Sequence, residues 1–176
     1  MAALATAALV SIEEYLHSMY HPDVDYVDGV LEVRNLGENQ HSDLQGELIT
    51  LFRNRRHEWK VKTYPEHRVQ VSARRYRIPD VCVMAASWVK TPIIHEAPLL
   101  CIEVLSSEDT LKRQAARCQD YFAMGVPEVW IIDPQSRKAY ILRGETITEH
   151  REELLQLQGT LIEVSLSKLF SVLDEA

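Results

Sequence analysis

The chain reads as an α/β domain, an α+β arrangement with a mixed central sheet flanked by helices, and three observations carry that reading. Short apolar runs with the length of buried strands recur near 80–84, 99–105 and 126–134. Two longer stretches, 40–56 and the segment around Leu111 to Phe122, instead place apolar residues three and four apart, as amphipathic helices do. The pair Asp28-Gly29 between two short apolar segments marks a β-hairpin. The resulting order of helix, strands, helix and strand defines the class. With 176 residues, 46% of them hydrophobic, and no Pro/Gly/Ser-rich linker or internal repeat, the sequence predicts a single domain over 1–176.

Ser11-Ile12-Glu13-Glu14 fits a capping box that opens a short helix to about Tyr20, ended by His21-Pro22. The hairpin follows, with strands Asp25–Val27 and Val30–Val33 joined by the type I′ turn pair Asp28-Gly29. Residues 40–56 present Leu44, Leu48, Leu51 and Phe52 on one helical face and end in a basic stretch, with His41 in the first turn. Strands are expected near 61–64, 67–72, 80–84 and 99–105, and 85–97 reads as a loop with room for a short helix. The clearest helix carries the stripe Leu111, Ala115, Cys118 and Phe122, with cap candidates between Ser106 and Asp109 and a stop at Gly125. A strand over 126–134, edge strands at 138–142 and 146–150, and a terminal helix over 165–173 complete the chain.

Composition narrows the functional classes. A formal charge of −7 argues against coating nucleic acid through the overall field, although basic residues cluster at Arg53–Lys62 and at Arg74, Arg75 and Arg77. The apolar opening 1–10 lacks a basic flank and meets Glu13 and Glu14 almost at once, so neither a signal peptide nor a membrane span is expected. Cys82, Cys101 and Cys118 form no C-x-x-C and read as reduced core residues of a cytoplasmic protein. Seven histidines with no H-x-x-x-H pair on a convincing helix face disfavour zinc, which leaves an oxygen-ligated metal as the better expectation.

Two acids stand out. Glu103 lies inside the apolar run Pro98–Leu105, where an ionised carboxylate needs a partner or a cation. Asp80 opens the apolar run Val81–Met84 behind Ile78-Pro79. Adjacent strands would bring the two acids together, and a converging pair either shares a proton or holds a hard cation such as Mg²⁺ or Mn²⁺. The structural alternative is that Asp80 caps a turn and Glu103 pairs with an arginine.

Asp80 after a proline, Glu103 in a strand and then a helix bearing basic residues resemble the PD-(D/E)xK nuclease superfamily, the restriction-endonuclease-like fold. Tyr26-Val27-Asp28-Gly29, Arg77–Val81, Ile102–Ser106 and Tyr121–Pro134 together resemble the Uma-two family of endonucleases over roughly residues 11–170. The resemblance implies that Asp80 and Glu103 hold a metal with the carbonyl of Val104. It also implies that Asp25 matches an acidic position before the Asp-Gly turn, and that His41 stands where many relatives place a histidine. The superfamily lysine is missing, because Leu105 occupies its place two residues after Glu103. In the resembling family a basic residue of the next helix stands in, and here that residue is Arg117. Stepped at about 100° per residue, Arg117 lies beside Gln114 and Tyr121 at one edge of the apolar stripe, with Lys112 at the opposite edge as the alternative. The bland reading of Arg117 is an exposed arginine paired with Asp120 or Glu108.

The expected function is a metal-dependent endonuclease using Mg²⁺ or Mn²⁺ on nucleic acid, with DNA favoured by analogy and a homodimer as an expected assembly. The alternative is a catalytically weakened module that keeps the fold and binds nucleic acid or protein, favoured by Leu105, Arg117 and the acidic net charge. A hydrolase of small phosphorylated compounds ranks last, because the chain has no glycine-rich phosphate loop.

Overall fold

In the computed structural model, which describes residues 9–34 and 38–174, helix α1 (Ile12–His17) is followed by the hairpin β1 (Val24–Val27) and β2 (Val30–Val33). The long helix α2 (Asn39–Asn54) and the single turn α3 (Arg56–Trp59) lead into β3 (Val61–Pro65), β4 (Val69–Ser72), β5 (Arg75–Arg77), β6 (Val81–Ala85) and β7 (Leu100–Val104). Helix α4 (Leu111–Met124) then connects to β8 (Val129–Asp133), β9 (Lys138–Arg143) and β10 (Thr146–His150). The chain closes with β11 (Leu154–Gln156), β12 (Glu163–Ser165), α5 (Leu166–Ser171) and a 3₁₀ turn over Val172–Asp174. Most of the apolar opening, residues 1–8, lies outside the described part.

Six strands form the main sheet in the order β10-β9-β8-β7-β6-β3. Only β7 and β8 run parallel, from Cys101 opposite Val129 to Val104 opposite Ile132. A parallel pair requires a crossover, and α4 supplies it. Helices cover both faces, which is why β6, β7 and β8 read as continuous apolar runs rather than alternating ones. On one face Leu100, Ile102, Val104, Trp130 and Ile132 pack with Leu44, Leu48 and Phe52 of α2. On the other, Cys101, Val129 and Ile131 pack with Ala115, Cys118 and Tyr121 of α4. The period of two therefore turns Glu103 toward α4.

Four strands make a second sheet in the order β2-β1-β5-β4. Asp28 at φ 51° and Gly29 at φ 98° give the left-handed pair that a type I′ turn needs. Tyr15 of α1 stacks on Tyr26 at 5.0 Å between ring centroids and lies 5.5 Å from Tyr76, so this sheet has a small aromatic core of its own. Ser11 caps α1 through a bond from Glu14 N of 3.0 Å, as the capping box predicts.

Several expectations change in detail. The segment Arg75–Arg77 is strand β5, its basic residues spent on ion pairs with carboxylates rather than on a free face. Thr110 rather than Ser106–Asp109 caps α4, accepting from Arg113 N at 3.2 Å, because Ser106 and Asp109 close a turn of their own. Tyr121 is fully buried where Phe122 was expected to close the stripe of α4. The strand after Gly125 starts at Val129, since Val126 N completes the helix cap on Tyr121 O. Residues 85–97 hold no helix and are anchored by Trp88 and Ile94, the latter bridged to Val69. Strand β9 is interior, with β10 and β3 at the edges. The pair β11 and β12 is too short to leave a pattern. All three cysteines are free and buried. Among the described residues, no helix is long and apolar enough to cross a membrane.

Candidate active site

The two sheets and α4 enclose a cleft of about 550 Å³ whose lining includes Asp25, Arg34, His41, Asp80, Glu103 and Arg117. Asp80 stands one residue ahead of β6, and the next pair of the ladder sets Val81 opposite Ile102 of β7, so Asp80 and Glu103 come side by side as the sequence suggests. Asp80 Oδ2 accepts from Val104 N at 2.7 Å and from His41 Nε2 at 3.2 Å, while Oδ1 accepts from Arg34. One turn beyond His41 on α2, Gln45 Nε2 donates to Asp80 O at 3.0 Å. Burial by itself would raise the carboxyl pKa of Asp80. The His41 hydrogen bond, the Arg34 charge and the Val104 N–H outweigh it and bring it to about 2. His41 is in turn pushed up, since its bond to Asp80 outweighs burial.

Glu103, fully buried, meets a different environment. Its Oε1 accepts from Tyr121 Oη at 2.6 Å and its Oε2 lies 3.5 Å from Arg117 Nη1. Burial pushes its pKa up, Arg117 opposes, the Asp80 charge adds to the rise, and the result is about 7. Two adjacent carboxyls are thus split into one held ionised by its partners and one pushed up chiefly by burial, with the charge of Asp80 adding to the rise.

Arg117 is neither exposed nor paired with Asp120 or Glu108. It reaches across to Asp25, with Nε 2.6 Å from Oδ2 and Nη2 3.3 Å from Oδ1, and Nη2 also donates to Ile78 O at 3.0 Å. Asp120 is taken by Arg75 at 2.8 Å and Arg77 at 2.7 Å. Asp25 additionally accepts from Arg77 Nη1 at 2.9 Å and from Ile78 N at 3.0 Å. Lys112 is exposed and does not line the cleft. Leu105, where the superfamily lysine would stand, is buried in the apolar cluster beneath α4.

All five side chains expected at the site, Asp25, His41, Asp80, Glu103 and Arg117, therefore meet in one cleft. Sequence reasoning missed Arg34 and Gln45 and gave Tyr121 no bonding role. Tyr121 had a signal, since a tyrosine four residues after Arg117 lies on the same helix edge. Arg34 had none, because it follows the hairpin in a segment without periodicity.

The donor chemistry suits a hard divalent ion. Among the described residues no group of three or more His, Cys, Asp or Glu side chains is arranged to hold a metal. A cation here would rest on two carboxylates and complete its shell with backbone oxygen and water, as magnesium commonly does.

A mixed sheet flanked by helices, with paired acids at adjacent strand ends, defines a restriction-endonuclease-like architecture. The chain belongs to the Uma2 family, whose model, described as "Putative restriction endonuclease", matches residues 12–171. Its fold is similar to a solved structure from Anabaena variabilis described as a "putative nuclease belonging to DUF820". That likeness has a TM-score of 0.81 and 20% identity, and covers 93% of this chain and 99% of the other. A looser likeness is to a chain of a DrdV–DNA complex, with a TM-score of 0.44 and 13% identity over 76% of this chain and 11% of that one, and it is too slight to bear on function. A search among curated proteins finds no match.

Proposed function

We propose that this protein is a metal-dependent endonuclease that hydrolyses phosphodiester bonds in DNA with Mg²⁺ or Mn²⁺. The observation that carries the reading is the Asp80–Glu103 pair at the ends of β6 and β7, with one carboxyl pushed down to about 2 and its neighbour up to about 7. Asp80, Glu103 and the carbonyl of Val104 would hold the cation. When bound, it supplies a water of lowered pKa and charge neutralisation at the phosphate. His41 and Gln45 hold Asp80 in place from α2, and Asp25 fixes the guanidinium of Arg117 at the wall of the cleft. Arg117 offers a fixed positive charge to the phosphodiester but takes no proton from water, because a guanidinium stays protonated in a protein. One centre per copy would suit a homodimer that cuts both strands, and free buried cysteines suit a cytoplasmic setting.

The test is cleavage of supercoiled plasmid and single-stranded DNA in Mg²⁺ and in Mn²⁺, with Asp80→Ala in parallel. Cleavage by the wild type that disappears in the variant is the expected result. Equal cleavage by both, or none by either, refutes the reading.

A second reading, a weakened module that binds without cutting, is favoured by a specific observation: among the described residues no lysine lines the cleft, and Leu105 is buried. Turnover separates the two, and Arg117→Lys tests the role of the arginine. If the lack of a residue able to accept a proton limits turnover, the lysine variant cuts faster. An unchanged or lower rate counts against Arg117 as the stand-in for the superfamily lysine.

A further inference from the structure

Arg34 is held differently from the other arginines of the cleft. Arg77 and Arg117 stand on regular elements, and Arg113 is exposed at the rim. Arg34 follows the last residue of β2, outside any ladder, with a side chain only 13% exposed. Its Nη2 contacts Asp80 Oδ1, and its Nη1 stands 4.0 Å from Oε1 of the half-exposed Glu66. The other oxygen of Asp80 already accepts from Val104 N and His41. Oδ1 is therefore the oxygen left for a cation, and a guanidinium is on it.

From this geometry we propose that Arg34 is an internal cation that guards Asp80, so that its ion pair with Asp80 and a divalent metal on the same carboxylate exclude each other. This rests on the metal-dependent reading above. Two positive charges on one oxygen repel, and a planar guanidinium fills the space a metal and its waters need. Without metal the pair serves stability, because a buried carboxylate with no counter-charge is costly. Metal binding must displace it, and Glu66, the carboxylate 4.0 Å from the same guanidinium, is the partner that receives it. Linkage then requires that the stability Arg34 draws from its contact with Asp80, less what Glu66 returns, is subtracted from metal affinity. A merely structural arginine would not produce those opposite signs.

The test is calorimetric titration of Mn²⁺ alone into wild type, Arg34→Gln, Arg34→Lys and Asp80→Ala, with folding checked by circular dichroism and thermal unfolding of the metal-free proteins. Arg34→Gln is expected to bind Mn²⁺ about 10-fold tighter than wild type while unfolding at a lower temperature without metal. Arg34→Lys, which keeps the charge but loses the planar fork, should fall between them, and it carries the test if the glutamine variant fails to fold. Arg34 variants that bind Mn²⁺ no tighter than wild type, at a site lost in Asp80→Ala, overturn the guard and leave the metal-dependent reading standing. If no protein shows a site that depends on Asp80, both fall.

Discussion

The two sheets of this protein are held in place by different balances of apolar burial and charge. The six-stranded sheet lies between two apolar layers, α2 and α5 on one side and α4 on the other, with fully buried Leu48, Ile102, Trp130 and Ile131 as typical contacts. The four-stranded sheet has an aromatic core under α1 and packs Val69 and Val71 of β4 against α4, but its strands β1 and β5 are tied to α4 by charge: Asp25 to Arg117, and Asp120 to Arg77 and Arg75. Apolar burial is non-directional and tolerates small shifts, whereas a buried carboxylate accepts only donors in the right place. The cleft opens along the charged seam, so the interactions that join the sheets also set the position of Arg117 and, through it, the surroundings of Glu103.

Replacing Arg77 should break this comparison most sharply. Its side chain is 7% exposed and serves Asp25, Glu32 and Asp120, so Arg77→Ala takes three ion pairs at once and leaves the buried Asp25 to Arg117 alone and Asp120 to Arg75 alone. A loss of about 3–5 kcal/mol is expected in urea unfolding, and a loss below about 1 kcal/mol would make the seam incidental. On the apolar side, Leu48→Ala should cost about 2–5 kcal/mol through lost contacts and a residual cavity. That cost should not change across pH 6–9, where no charge is involved.

The smallest effect is expected at Tyr15, which lies in the aromatic core and donates its hydroxyl to Val24 O at 3.1 Å. Burial pushes its phenol up to about 12, with Arg68 opposing. In the unfolded chain the phenol ionises near its ordinary 10, so the folded state holds the proton more tightly. Stability is therefore intact below pH 10 and falls as pH climbs from 10 toward 12. Tyr15→Phe should cost about 1 kcal/mol at neutral pH and flatten that alkaline fall, as read from denaturant midpoints at pH 9, 10 and 11. A fall just as steep in the variant would place the alkaline sensitivity elsewhere.

The legible parts of the fold were those written in local period or in a turn with its own chemistry. Leu44, Leu48 and Phe52 announced α2, Asp28-Gly29 the hairpin, and Gly125, at φ 105°, the end of α4. Strand β5 was hidden because its three residues include two arginines whose apolar neighbour, Tyr76, gives no alternation to read. At the site, Asp80 and Glu103 were visible because a carboxylate in an apolar run contradicts its surroundings. The partners of Arg117 were not visible, and sequence reasoning offered Asp120 or Glu108 where the structure supplies Asp25, 92 residues away.

By itself the sequence determined the elements, the face each buries and the two acids that must find compensation, because hydrophobic period and the cost of burying charge act on residues close in the chain. The tertiary structure alone decided which charge meets which: Arg34 on Asp80, Tyr121 and Arg117 on Glu103, and Arg77 between Asp25 and Asp120. The physical reason is that ion pairs depend on distance in space, and these partners are brought together by strands and a helix that lie far apart along the chain.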